Sequence, residues 1–137
     1  MSSRSGYSDD GWGSREERWQ GIRYRGAVAS ALRGKRGQKF LRDLIEALDA
    51  MPVKKLISGG PVTPDGCCAM GAVMLLRGLE VSSQYDSLAA QLAEPLDIAE
   101  AMAQEIAFEN DGDLDYIKSD ADRWTKMRRW AEGNLND

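Results

Sequence analysis

Apolar side chains along this chain recur mostly at helical spacing and seldom at the alternating spacing of a half-buried strand. Phe40, Leu41, Leu44, Ile45, Leu48 and Met51 form one stripe, and Arg42, Asp43, Glu46 and Asp49 lie on the opposite face. That pattern predicts an amphipathic helix, which Pro52 closes by disfavouring helical geometry at Met51. Upstream, the small residues between Arg25 and Leu32 predict a short helix, followed by a tight turn across Gly34 and Gly37. Downstream, 53–57 alternates weakly before the turn signals Gly59-Gly60-Pro61 and Pro64-Asp65-Gly66. A small hairpin is expected there, with 56–58 set against Val62 or Cys67.

Ala69, Ala72, Val73 and Leu76 share one helical face, and Cys68 and Met70 make this segment apolar nearly all round. It predicts the most buried helix, with Gly78 just past its end. Asp86 predicts a cap for a short helix over 87–92, broken at Glu94-Pro95, with Pro95 opening the next helix. Ile98, Ala99, Met102, Ala103 and Ile106 give that helix its stripe, to about Phe108. Ser119-Asp120-Ala121-Asp122 reads as the capped start of a last helix, with Trp124, Met127, Arg128 and Ala131 on one face and Gly133 as its stop. Six residues separate Trp124 from Trp130, roughly 120° of helix, so one is expected in the core and the other at its boundary.

The sum is a mainly α fold: four to five helices in a compact, bundle-like domain over 21–137, with a small β-hairpin. Residues 1–20 are rich in Ser, Gly, Arg and Asp, show no period, and predict a flexible tail carrying Trp12 and Trp19. A length of 137 residues with 42 % apolar content suits one domain with a modest core. The longest apolar run, 67–76, ends at Arg77, and Met1 to Asp10 contain no apolar stretch. The expectation is a cytoplasmic protein with no membrane partner.

Composition narrows the chemistry further. The chain has no histidine, which removes Ser-His-Asp, Cys-His and Cys2His2 arrangements. Its two cysteines, Cys67 and Cys68, are adjacent, a spacing that disfavours a disulfide and predicts two reduced, buried thiols. No phosphate-binding glycine loop precedes a helix, so the glycines read as turns. Neither catalytic residues nor a cofactor is expected.

Charge is unevenly spread. Residues 1–40 carry nine Lys/Arg against four Asp/Glu, residues 94–137 five against twelve, and the whole chain has a net charge of −4. Segregation of this kind concerns partners and encounter. Glu109, Asp111, Asp113 and Asp115 form the densest acidic surface and are candidates for binding a basic protein. Asp111, Asp113, Asp115 and Asp122 also fall at four positions of a calcium-loop template, but Tyr116 stands where the template needs glycine. At the other end Arg33, Lys35, Arg36 and Lys39 continue a basic stretch interleaved with Trp19 and Tyr24, a pattern suited to nucleic acid. Against that stand the acidic whole chain, Glu16-Glu17, and Asp43, Glu46 and Asp49, which would repel phosphates from the second helix.

Read together, the run from Arg25 to Gln38, Leu48-Asp49-Ala50-Met51-Pro52, Cys68-Ala69-Met70-Gly71-Ala72-Val73, Arg77-Gly78 and Ile106-Ala107-Phe108-Glu109-Asn110-Asp111 resemble a family of small uncharacterised bacteriophage and prophage proteins. The resemblance covers about Trp19 to Ala131 and implies a phage product acting in the bacterial host cytosol, with no activity or site residues attached. Three functions follow as expectations. The first is a non-enzymatic accessory protein that binds a host or phage protein through the acidic surface, as an inhibitor of a host or defence complex. The second is a nucleic-acid-binding module built on the basic segment. The third is a carboxylate-based divalent-metal enzyme or calcium-binding protein.

Overall fold

A single glycine divides the first two helices. α1 (Arg15–Arg33) and α2 (Lys35–Ala50) are separated by Gly34 in extended backbone, φ −73° and ψ 168°. The structure is a computed structural model that describes residues 15–58, 61–80, 89–112, 117 and 119–136. After α2 come β1 (Val62–Thr63), β2 (Gly66–Cys67), α3 (Ala69–Leu76), a 3-10 turn (Ala89–Leu92), α4 (Ala93–Leu96), α5 (Glu100–Asp111) and α6 (Asp120–Gly133). The fold is therefore mainly α with one small antiparallel hairpin, Val62 facing Cys67 and Thr63 facing Gly66.

The stripe predicted for α2 is the floor of the core: Phe40, Leu41, Leu44 and Leu48 are fully buried. Six successive residues of α3, Ala69 to Met74, are buried too, as expected of a helix apolar on every side. Met102 and Ile106 of α5 and Met127 and Ala131 of α6 close over them. Gly78 has φ +70°, and the end of α3 is sealed by Gly78 N–H to Leu75 O at 3.2 Å and Leu79 N–H to Met74 O at 2.9 Å. That pair of bonds is the Schellman arrangement, which glycine tolerates best. Ser119 caps α6 through its Oγ, which accepts the Asp122 N–H at 3.1 Å. No helix among the described residues is long and apolar enough to cross a membrane.

Several boundaries differ from the periodicity. α1 begins ten residues before Arg25, because its upstream turns are polar on all sides and leave no apolar stripe to detect. Arg15 to Gln20 thus belong to a helix, and the rest of the expected tail, with Trp12, lies outside the described residues. Gly37 is inside α2, not in a turn: a Cβ there would stand 2.0 Å from the Ala31 carbonyl oxygen, so α1 and α2 meet where only hydrogen fits. The hairpin pairs 62–63 with 66–67, and 56–58 contributes one bond, Ile57 N–H to Cys67 O at 2.9 Å. Leu76, assigned to the buried face of α3, is exposed with Leu75 at its solvent end.

Pro95 does not open a helix; it lies inside α4, and Asp97, at φ +57°, reverses the chain before α5. The expected cap Asp86 lies outside the described residues. Trp124 and Trp130 do not divide into core and boundary, since both are partly buried against the core. With the one-turn α4 counted, six α-helices appear among the described residues, one more than the upper expectation.

Candidate nucleic-acid interface

The charge asymmetry becomes a surface at the α1–α2 hairpin. From Arg18 to Arg42 the chain contains eight Lys/Arg and no carboxylate; the remainder has ten against twenty-two. Seven of the eight, from Arg23 to Arg42, are exposed. The close approach at Gly37 brings the two helices together, and beside it lies a groove of about 580 Å³. Ala27, Ser30 and Ala31 of α1, Gly34, Lys35, Arg36 and Gly37 at the start of α2, and Ala99 line it. Its floor is made of small residues and its rim carries Lys35 and Arg36.

All four basic residues predicted from sequence, Arg33, Lys35, Arg36 and Lys39, come to this junction and are exposed. Arg36 Nη1 lies 3.3 Å from Asp97 Oδ1, with the two side chains 58 % and 67 % exposed. A pair so open to water contributes little and exchanges readily for another anion. Lys39 reaches Asp43 at 3.2 Å, one turn away.

The carboxylates expected to repel phosphates from α2 are largely occupied. Asp43 is half-buried and accepts from Arg77 Nε at 2.9 Å as well as from Lys39. Arg77 also donates to Leu96 O at 2.8 Å and stacks over the Phe40 ring at 5.8 Å, so the pair is held from three sides. Asp49 receives a two-pronged bond from Arg128 of α6, at 2.7 and 2.9 Å. Glu46 alone of the three is exposed without such a fork.

The acidic surface fares differently. Glu109 is half-buried and pairs with Lys126 of α6, whose Nζ lies 3.4 Å from its carboxylate and donates to its backbone carbonyl at 3.1 Å. Asp111 is exposed at the end of α5 and accepts from Asn110 Nδ2 at 3.1 Å. Asp113 and Asp115 lie outside the described residues. Asp122 sits in the first turn of α6, where its N–H bonds Ser119. Among the described residues no group of three or more Cys, Asp or Glu could hold a metal ion.

Cys67 and Cys68 are free thiols, both buried. Burial, with its neighbour adding to it, pushes Cys67 up to about 11, and burial raises Cys68 as well, so neither is a ready nucleophile. The chain matches no family model, no curated protein and no solved structure.

Sequence reasoning missed a buried polar knot. Asn110 accepts the Ala69 N–H at 3.0 Å and donates to Ile57 O at 3.0 Å, tying α3 and the β-connector to α5. Arg123 donates to Asn110 O at 2.8 Å, Leu56 O at 3.2 Å and Asp120 Oδ1 at 2.8 Å. Asn110 stands four residues after the buried Ile106, and Arg123 four before the buried Met127, so helical spacing assigns both to core faces. Gln38 is a second clamp: it donates to Leu32 O at 2.6 Å and Asn134 O at 3.0 Å, and accepts the Asn136 N–H at 2.8 Å.

Proposed function

We propose that this protein is a non-enzymatic binder of nucleic acid, and that its working face is the α1–α2 hairpin. One observation carries the reading: a carboxylate-free stretch of eight cations, in an otherwise acidic chain, lies along two adjacent helices, and the seven from Arg23 to Arg42 are exposed. Phosphate contacts of this type supply most non-specific affinity and make it salt-dependent. The occupation of Asp43 and Asp49 by arginines supports the reading, because it removes much of the repulsion that α2 would present. Trp19, 54 % exposed on α1, offers a stacking surface for an unpaired base. With the resemblance to small phage proteins, the proposal extends to a phage product acting on nucleic acid in the bacterial host cytosol.

Fluorescence anisotropy with labelled single-stranded and duplex oligonucleotides at low salt tests it. Binding is expected to weaken linearly in log–log terms with salt, and alanine at Arg33, Lys35, Arg36 or Lys39 to lower the slope by about one per lost phosphate contact. A flat titration at low salt with both oligonucleotides rejects it. Recovery of a basic protein whose binding needs Asp111, with no nucleic-acid binding, would return the acidic-surface reading; the capture of Glu109 by Lys126 weighs against that outcome.

A further inference from the structure

One face of α1 links the groove to an exposed indole. Trp19, Arg23, Ala27 and Ser30 follow at i, i+4, i+8 and i+11, within about 80° around the helix, on the side away from the buried Val28 and Leu32. Gly26 and Arg33 lie beside them, and all six residues are exposed. Ala27 and Ser30 also line the groove rimmed by Lys35 and Arg36, so the face opens into it. Between Arg23 and Arg33 its surface is made of residues with little or no side chain. From Trp19 to Arg33 the helix rises about 20 Å, room for about six nucleotides at the ~3.4 Å spacing of a stacked strand. Tyr24, the other exposed aromatic of the basic stretch, is engaged by α5, where its hydroxyl donates to Glu105 at 3.2 Å.

We propose that the ligand of this face is single-stranded nucleic acid, its backbone lying along α1 from the groove toward Trp19 and one unpaired base stacked on the indole. The inference rests on the nucleic-acid reading above and fixes the form of the ligand. A duplex keeps its base faces inside its own stack, so it offers an exposed ring nothing to stack on. Reading a duplex from outside takes long polar side chains that reach base edges at the floor of a major groove about 8.5 Å deep. Gly26, Ala27 and Ser30 are too short for that. Gln38, the one amide of α2, is buried and donates to Leu32 O and Asn134 O. The exposed Glu46 of α2 would face the phosphates that border such a groove. A flexible single strand needs neither helix to enter a groove; cations along its backbone and a ring for a base suffice.

The test is fluorescence anisotropy of the full chain at low salt with labelled probes of about 12 nucleotides: a single strand, the same backbone without bases, and a blunt duplex. The single strand is expected to bind most tightly. Trp19→Ala should weaken it about five-fold or more, while the baseless strand, the duplex and the salt slope stay as they were, since the indole carries no charge. Trp19→Phe should recover most of the loss. Arg23→Ala should instead lower the salt slope on the single strand by about one. Far-UV circular dichroism checks that each variant is folded, which the exposure of both side chains favours. Duplex binding as tight as that of the single strand, or unaltered single-strand affinity in Trp19→Ala, overturns the inference and leaves the nucleic-acid reading standing. Absence of binding to every probe rejects that reading, and this inference with it.

Discussion

Asn110 joins three segments through one amide, and what it costs to lose follows from what it leaves behind. With its side chain removed, the Ala69 N–H at the start of α3 and the Ile57 carbonyl lose their partners in a site 2 % exposed. Asn110→Ala is expected to destabilise the protein by about 2–3 kcal/mol, measured by urea unfolding, because unsatisfied buried groups bear the full loss of solvation. Asn110 and Arg123 are legible in sequence as core-facing positions, since both continue an apolar stripe at helical spacing. The bonds to Ala69, Ile57 and Leu56 are not legible there, because those partners are backbone groups 41 to 67 residues away, brought close only by folding.

Helices announce themselves by apolar period when one face is buried, as in α2, and α1 shows the reverse case. Its first turns are polar all round, with Trp19 and Ile22 exposed, so no periodicity marks them. Two glycines separate propensity from packing in this hairpin. Gly26 lies within α1 with nothing within 4 Å of an added Cβ, and Gly26→Ala is expected to raise stability by about 0.5–1 kcal/mol. Gly37→Ala is expected to lower stability by about 2 kcal/mol or more, because the new methyl group meets the Ala31 carbonyl and forces the helices apart. Thermal unfolding of the two variants side by side reads the difference.

Across the whole molecule, the fork between Asp49 and Arg128 ties the end of α2 to α6, next to Lys54, which donates to the Asp49 and Met51 carbonyls and lies over Trp124. The hydrogen bond from Arg128, with its positive charge, holds Asp49 below its usual range. A carboxyl lowered by folding stabilises the fold above its unfolded value, and that contribution is lost as pH falls through the lowered one. Asp49→Asn is therefore expected to lower Tm at neutral pH and low salt, with the difference from the unaltered protein shrinking in acid and in about 1 M salt. Calorimetry at two pH values and two salt concentrations checks it.

Local order of residues sufficed for the helical class, the buried stripe of α2, the burial of α3, the glycine end of α3, the serine cap of α6 and the position of the basic segment. Those features depend on neighbours within one or two turns, where the period of the backbone links sequence directly to geometry. Tertiary structure alone decided which charges remain available. Asp43 and Asp49 are withdrawn by Arg77 and Arg128, Glu109 is withdrawn by Lys126, and Arg33, Lys35, Arg36 and Lys39 stay exposed, Lys35 and Arg36 along a groove. A charge count sums over the chain, but Coulomb interactions act across space, and the partners that neutralise a carboxylate here come from helices far along the sequence.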